Sequence, residues 1–470
     1  MCLSYGQLPL ILFLLMIFFS FSSCGNLLNE EAITSPSGIN EPGPLNDINT
    51  FFDKTFSTSA AINIQTKYDE YLISGSPIGE NDIEDIWITS LDHAGSVIFE
   101  STFRTGKHLR IVSQIIDQEK NYIFICNEFD PSTYKADIFI LKITPDKQIK
   151  WHYKLGNSTS TYALSAVMLS GGTIAITAQT ENVTTSNYDP ILIKINPYSY
   201  TISSIRLDYQ VSSLSGNVYP VPVKILSDEN DTLTIAGYYF DSSNKSRIAV
   251  IKMDSDDIVI SKYILYEYTK NLSILDIKYQ NPTYDILLIC KSDTLHGRDE
   301  GFTLLKVFKD SSIKFENDYI INGFTPADSI IAMSDETFSV GGYLSNGTGD
   351  YSVSLITFNY SGNINNFQSI ESGITEINRI NFSREINNNY MSYIYSCKKL
   401  DYYSDKGIVS RRIALTGIYK KNLKPSILLN KDNSSGETLF PVEINDITVI
   451  AEDIEDIVFK PVSDLNIEWK

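Results

Sequence analysis

The chain has 470 residues, 43% hydrophobic and 20% charged, with a formal net charge of -19. This balance supports a large buried core and excludes disorder over the whole length, while the acidic surplus argues against nucleic acid as a partner, because phosphates are engaged by clustered Lys and Arg. The 29 tyrosines and 23 phenylalanines beside abundant Ile, Ser and Thr favour strands over helices.

The uncharged apolar run from Leu8 to Phe21 is shorter than the roughly 20 residues a helix needs to cross a bilayer, and residues 1–23 read as a signal peptide. The run ends at Phe21-Ser22-Ser23-Cys24-Gly25, with small residues directly before a cysteine. This resembles the lipobox of bacterial lipoproteins. The resemblance implies that Cys24 becomes the lipid-carrying N-terminus and, with Gly25 after it, anchors the protein to the bacterial outer membrane on a face left open. An ordinary secreted protein cut nearby, or a buried cysteine in a membrane stub, is the alternative. Residues 24–49 mix Gly, Pro, Ser, Asn and Glu without apolar periodicity and read as a flexible tether.

From residue 50 to about 420 the sequence repeats. Strands ending on a small residue recur at Gly75, Cys126, Ala178, Gly237, Cys290, Gly342 and Cys397, spaced by 51 to 59 residues. Ten or eleven residues after each of the first six, another apolar strand begins, as at Asp85, Asp137, Asp189, Arg247, Gly301 and Ser352. Tight turns such as His93-Ala94-Gly95-Ser96 and Tyr360-Ser361-Gly362-Asn363 lead into a further strand, and a hairpin such as that around Ser170-Gly171-Gly172 precedes each small residue. The unit is four short antiparallel strands with no helical period, and seven copies predict an all-β, seven-bladed β-propeller.

The segment Phe52–Thr58 matches Phe99–Thr105 and reads as an outermost strand without a blade of its own, expected to complete the last blade and close the ring. Residues 425–430 are the rival for that place. Beyond 420 the chain is an acidic extension, 421–470, with nine acids and two lysines from Glu437 onward. Alternation at Thr438–Glu443 and Ile447–Ile450 predicts short strands forming a small β appendage on the ring.

The strand Asp137-Ile138-Phe139-Ile140-Leu141-Lys142, followed by a Pro/Asp turn and an aromatic strand, resembles the bacterial SBBP-type β-propeller repeat. Lys142, Lys194, Lys252 and Lys306 repeat its lysine, and Leu155-Gly156 its terminal dipeptide. The resemblance implies a fold and no shared catalytic residues.

Chemistry-bearing motifs are sparse. Cys126, Cys290 and Cys397 share one repeat column, so they lie in different blades, beyond the roughly 7 Å reach of a disulfide, and read as small buried hydrophobes. His93, His108, His152 and His296 show no metal-ligand spacing, and no nucleophile elbow, zinc helix or phosphate loop occurs, so neither cofactor nor metal is expected. The acidic turns Asp228–Asp231 and Asp254–Asp257 read as solvated hairpins rather than calcium loops.

The longest loops are expected after the small-residue column, including Asn127 to Ala136 and Gln179 to Tyr188. They carry the candidate binding residues Asp82, Glu84, Phe129, Asp130, Tyr134, Tyr188, Asp299, Tyr402 and Tyr403, since exposed aromatics on a stiff scaffold offer rigid contact area. The reading is a monomeric, lipid-anchored, non-catalytic protein binding a protein or glycan on that face. The alternative is a propeller enzyme acting on polysaccharide, which requires a pair of carboxylates at the channel mouth.

Overall fold

The computed structural model describes residues 50–419 apart from short connections, together with the strands Val458–Lys460 and Asn466–Trp469. All secondary structure among the described residues is β, and the pairing is antiparallel throughout. A first strand, β1 (Thr50–Phe56), precedes sheet one, β2 to β5 (Ile62–Lys67, Glu70–Gly75, Ile86–Leu91, Val97–Arg104). Sheet two is β6 to β9 (His108–Ile116, Tyr122–Asp130, Lys135–Ile143, Ile149–Gly156), and sheet three β10 to β13 (Thr161–Met168, Ile174–Asn182, Asn187–Asn196, Thr201–Arg206). A two-stranded hairpin, β14 and β15 (Tyr209–Gln210, Asn217–Val218), leads to sheet four, β16 to β19 (Val221–Ser227, Leu233–Phe240, Ser246–Met253, Val259–Leu265). Sheet five is β20 to β23 (Lys270–Gln280, Asp285–Thr294, Gly301–Val307, Ile313–Ile320).

The strands β24 to β29 (Phe324–Ala332, Phe338–Ser345, Tyr351–Phe358, Ile364–Phe382, Tyr390–Leu400, Val409–Tyr419) are hydrogen-bonded into one run, because the long β27 is fourth strand to one hairpin set and first strand to the next. At the end of that run β1 pairs with β29, Phe52 to Phe56 lying opposite Gly417 to Ile413. Two short strands, β30 (Val458–Lys460) and β31 (Asn466–Trp469), add to the outer edges of β9 and β5. The appendage strands expected at 438–450, and the rival segment 425–430, lie outside the described residues.

Period-two alternation builds a propeller-like stack of sheets. In β7, Tyr122, Phe124 and Cys126 pack toward sheet one, while Ile123 and Ile125 pack toward sheet three. Further clusters lie between sheets three and four, four and five, and five and the β24 to β27 hairpins. Strands buried on both faces are why the middle of each unit reads as an unbroken apolar run such as Ile138–Leu141. Cys126 and Cys290 are free and buried in two different clusters, and burial pushes the Cys126 thiol well above its ordinary range.

The small-residue column has a steric cause. In six units the first strand carries a bulge, and the residue just before it faces the column: Ile111 opposite Cys126, Ala163 opposite Ala178, Pro222 opposite Gly237, Ile274 opposite Cys290, Pro326 opposite Gly342 and Ile377 opposite Cys397. The bulge presses the first strand onto the second. A Cβ at Gly237 would run into the Val221 carbonyl, and one at Gly342 into the Thr325 carbonyl and the Phe324 ring. Just past the bulge a polar side chain latches the next sheet. Ser113 Oγ accepts the Ala166 N–H (3.0 Å), Ser165 Oγ the Ile225 N–H (3.4 Å), and the Asp276 carboxylate the Ile330 N–H (3.1 Å).

The repeated lysine acts in the same direction, from one sheet to the next. Lys142, 1% exposed, pairs with Asp117 at 2.6 Å and sits under the Tyr198 ring in the last turn of sheet three. Lys306 pairs with Asp285 at 3.3 Å under the Tyr360 ring, and Lys194 donates to the Ser255 carbonyl of sheet four at 3.0 Å. Burial raises the Asp117 carboxyl, but Lys142 and Asn121 outweigh it and hold the group below its ordinary value.

Candidate functional site

The hairpins joining second to third strands differ from expectation. The segments read as loops are mostly paired: β7 runs to Asp130 and β8 starts at Lys135, β11 runs to Asn182 and β12 starts at Asn187, and β17 runs to Phe240 with β18 from Ser246. Polar and aromatic residues past the column continue the ladder because their side chains stand at the sheet ends, where burial is no longer required. The candidate face is therefore a set of stiff hairpin tips.

In sheet two the tip is closed by a turn from Asp130 to Tyr134, whose N–H reaches the Asp130 carbonyl at 2.9 Å. The Asp130 carboxylate accepts the Ser132 N–H (2.9 Å) and hydroxyl (2.5 Å) and pairs with Lys107 (3.0 Å). The Ser132 hydroxyl, and after it Lys107, hold this carboxyl well below the usual range. Tyr134 is 75% exposed and adopts a φ of 56°, a left-handed conformation that disfavours side chains other than Asn, Asp and Gly. Its ring lies edge-on to Phe129, centroids 6.4 Å apart, and Phe129 lies 6.2 Å from His108, so three rings form a row.

Glu84 serves a different purpose. Its N–H donates to His108 Nδ1 (3.3 Å), its carbonyl accepts the Leu109 N–H (2.7 Å), and its carboxylate takes Arg110 at 2.5 Å. It clamps the connection before β4 onto β6. Tyr188 packs edge-on against Tyr162 of β10 at 5.8 Å, and burial, followed by that neighbour, raises its hydroxyl well above the ordinary value. Asp82, Asp299, Tyr402, Tyr403 and Cys24 lie outside the described residues, as do His93 and His296.

Other rings at the same end were not singled out from sequence. Tyr238 and Phe240 of β17 meet edge-on at 5.8 Å with Phe240 51% exposed, and Tyr343 of β25 meets Tyr351 of β26 at 5.5 Å. The available signal is that Tyr238, Phe240 and Tyr343 follow a column glycine within three residues and Tyr351 opens the next strand.

Among the described residues no group of three or more His, Cys, Asp or Glu side chains is placed to hold a metal ion. Asp228 accepts the N–H groups of Asn230 and Thr232 at 2.9 Å, and Asp254 that of Asp256 at 3.0 Å, so these acids cap their own hairpin turns. Asp276, a first-strand acid, is 4% exposed and lies within 3.6 to 3.8 Å of Lys278 and Lys224 in addition to its latch to Ile330.

No family model and no curated protein matches the chain. Among solved structures it is similar to a protein of unknown function from Dyadobacter fermentans, at 8% identity and TM-score 0.43, covering 67% of this chain and 99% of that one. It is also similar to the WD40 domain of SCAP from fission yeast, at 10% identity and TM-score 0.40, covering 79% and 98%. Puromycin hydrolase aligns at 10% identity and TM-score 0.46, covering 73% of this chain, which spans about half the length of that enzyme. Likenesses of this size speak to neither substrate nor chemistry.

Proposed function

We propose that the protein is a lipid-anchored, non-catalytic binding protein of the bacterial envelope, whose seven-bladed propeller presents the aromatic hairpin tips to a protein or glycan. The observation that carries the reading is the recurrence of paired rings at one end of four units: Phe129 with Tyr134, Tyr162 with Tyr188, Tyr238 with Phe240, and Tyr343 with Tyr351. Repetition of partly exposed rings on paired strands, with Tyr134 and Phe240 the most exposed, is a recognition surface built at small entropic cost.

Seven blades follow from counting β27 in two of them. Support comes from the first strands, each beside the next from β6 to β10, β16, β20 and β24, with β2 lying against β27 and β28. In this reading β1 is the outer strand of the seventh blade and ties the two chain ends together. The anchor rests on Cys24 behind the apolar run, and Cys24→Ala is expected to abolish fatty-acid labelling and membrane retention.

The test of the binding surface is sedimentation of the unanchored Cys24→Ala protein with purified peptidoglycan sacculi and with outer-membrane fragments from the source cell. With its rings intact it is expected to co-sediment with at least one of them, and added Phe240→Ala or Tyr351→Ala to reduce it. Asp231→Ala, at the opposite end of the sheets, is expected to leave it unchanged. Co-sediment indifferent to both ring variants would refute the reading.

A further inference from the structure

We propose that the tip of sheet two is a carbohydrate subsite, in which the exposed Tyr134 ring stacks on a neutral pyranose and Asp130 with Ser132 binds its hydroxyls. The inference deepens the reading above and rests on it. Its first support is the backbone. A tyrosine occupies the left-handed position of the turn, where glycine is favoured, and the φ of 56° costs about 1 kcal/mol or more. The ring does not recover that cost by burial, since it is 75% exposed and touches only the edge of Phe129 among described rings. Lys120, Lys147 and Asp231 adopt the same conformation in turns at the other end, and what sets Tyr134 apart is the large ring it holds in water, as a ligand platform requires.

The second support is the chemistry beside the ring. A pyranose offers an apolar C–H face ringed by hydroxyl groups, so its site needs an aromatic face next to fixed acceptors and donors. Here the acceptor is the Asp130 carboxylate, kept ionised by Ser132 and Lys107, and the Ser132 hydroxyl lies exposed within the same turn. Phe129 and His108 extend the apolar row toward β6.

Charge selects among glycans. The nearby cations are engaged: Lys107 with Asp130, Arg110 with Glu84, Arg104 with Asp85, and Lys154 with Glu128 and Asp137. With a net charge of -19 on the whole chain, a polyanionic sugar is repelled and a neutral one is not.

Calorimetric titration of the full chain with chitotetraose and cellohexaose, and with polygalacturonate as the anionic control, tests this. The wild type is expected to bind a neutral oligosaccharide and not the polyanion. Tyr134→Gly, which removes the ring and relieves the left-handed strain, is expected to melt no lower than wild type yet bind about tenfold or more weaker, while Tyr134→Phe keeps its affinity. Ser132→Ala is expected to weaken binding less. Undiminished binding in Tyr134→Gly overturns the subsite, and if Phe240→Ala loses binding instead, the general surface stands while this assignment falls. If no neutral oligosaccharide binds but sacculi or membrane fragments still co-sediment in a ring-dependent way, the glycan class falls and the recognition surface survives as a protein-binding one.

Discussion

The two ends of the sheets solve opposite problems with the same repeated hairpins. At the tight-turn end, polar side chains reach from one sheet to the next: Lys142 from Asp117 to the Tyr198 ring, Ser170 to both Asp231 oxygens at 2.6 Å, and Gln118 to the Ser170 carbonyl at 3.1 Å. At the other end, aromatic residues pair within one sheet and leave rings such as Tyr134 and Phe240 in solvent. Neighbouring sheets are joined at this end too, by Glu84 to Arg110 and by Asn127 to Ala163 (3.0 and 2.8 Å), and what sets it apart is the ring pairs carried on its hairpin tips. A tip can present such rings because the sheets beneath it are already held together.

The sharpest way to break this comparison is to remove the buried lysine. Lys142→Met strands the Asp117 carboxylate, 4% exposed, and is expected to cost about 3–5 kcal/mol in chemical denaturation, whereas Lys142→Met with Asp117→Asn, which removes the charge and keeps an acceptor for Asn121, recovers part of that loss. The pH dependence follows. Asp117 has a folded value below its ordinary 3.8, so its contribution is complete above that value and is lost as pH falls through the lowered one. A Lys142→Met protein should lose that part of the acid sensitivity.

Truncation comes next. A protein beginning at Ser59 lacks β1 and leaves the edge of β29 open, so its melting point is expected to drop by about 5 °C or more, while one beginning at Asp47 matches the longer chain. Equal melting of the two would assign the edge to another segment, with residues 425–430 the rival. The smallest effects compare single side chains at the two ends. Asp231→Ala, which removes both bonds to Ser170, is expected to cost about 1 kcal/mol, and Phe240→Ala, half exposed, about 0.5 kcal/mol or less.

Much of this architecture is legible in the sequence because the repeat column is enforced sterically. Gly237 and Gly342 leave no room for a Cβ under the bulged first strand, Cys126 and Ala178 hold the same place in the ladder, and the column so marks the middle of each second strand. The lysine of the repeat was visible as a pattern, but its purpose was not, since its partners Asp117 and Tyr198 lie 25 residues upstream in a turn and 56 downstream in the next sheet. Aromatics mark the candidate face, and the segments that carry them read as loops. Those segments are strands, because alternation fades where both faces reach solvent while the backbone ladder continues. Glu84 illustrates the remaining limit: an acid at a loop end looks like a ligand contact until Arg110 and His108 are seen to hold it.

Hydrogen exchange of the full chain with and without chitotetraose tests the division between the two ends most directly. The account predicts added protection in residues 106–110 and 128–136 and none in the clasped turns at 117–121 and 169–173. Protection confined to those turns, or none anywhere under saturating conditions established by titration, would contradict it.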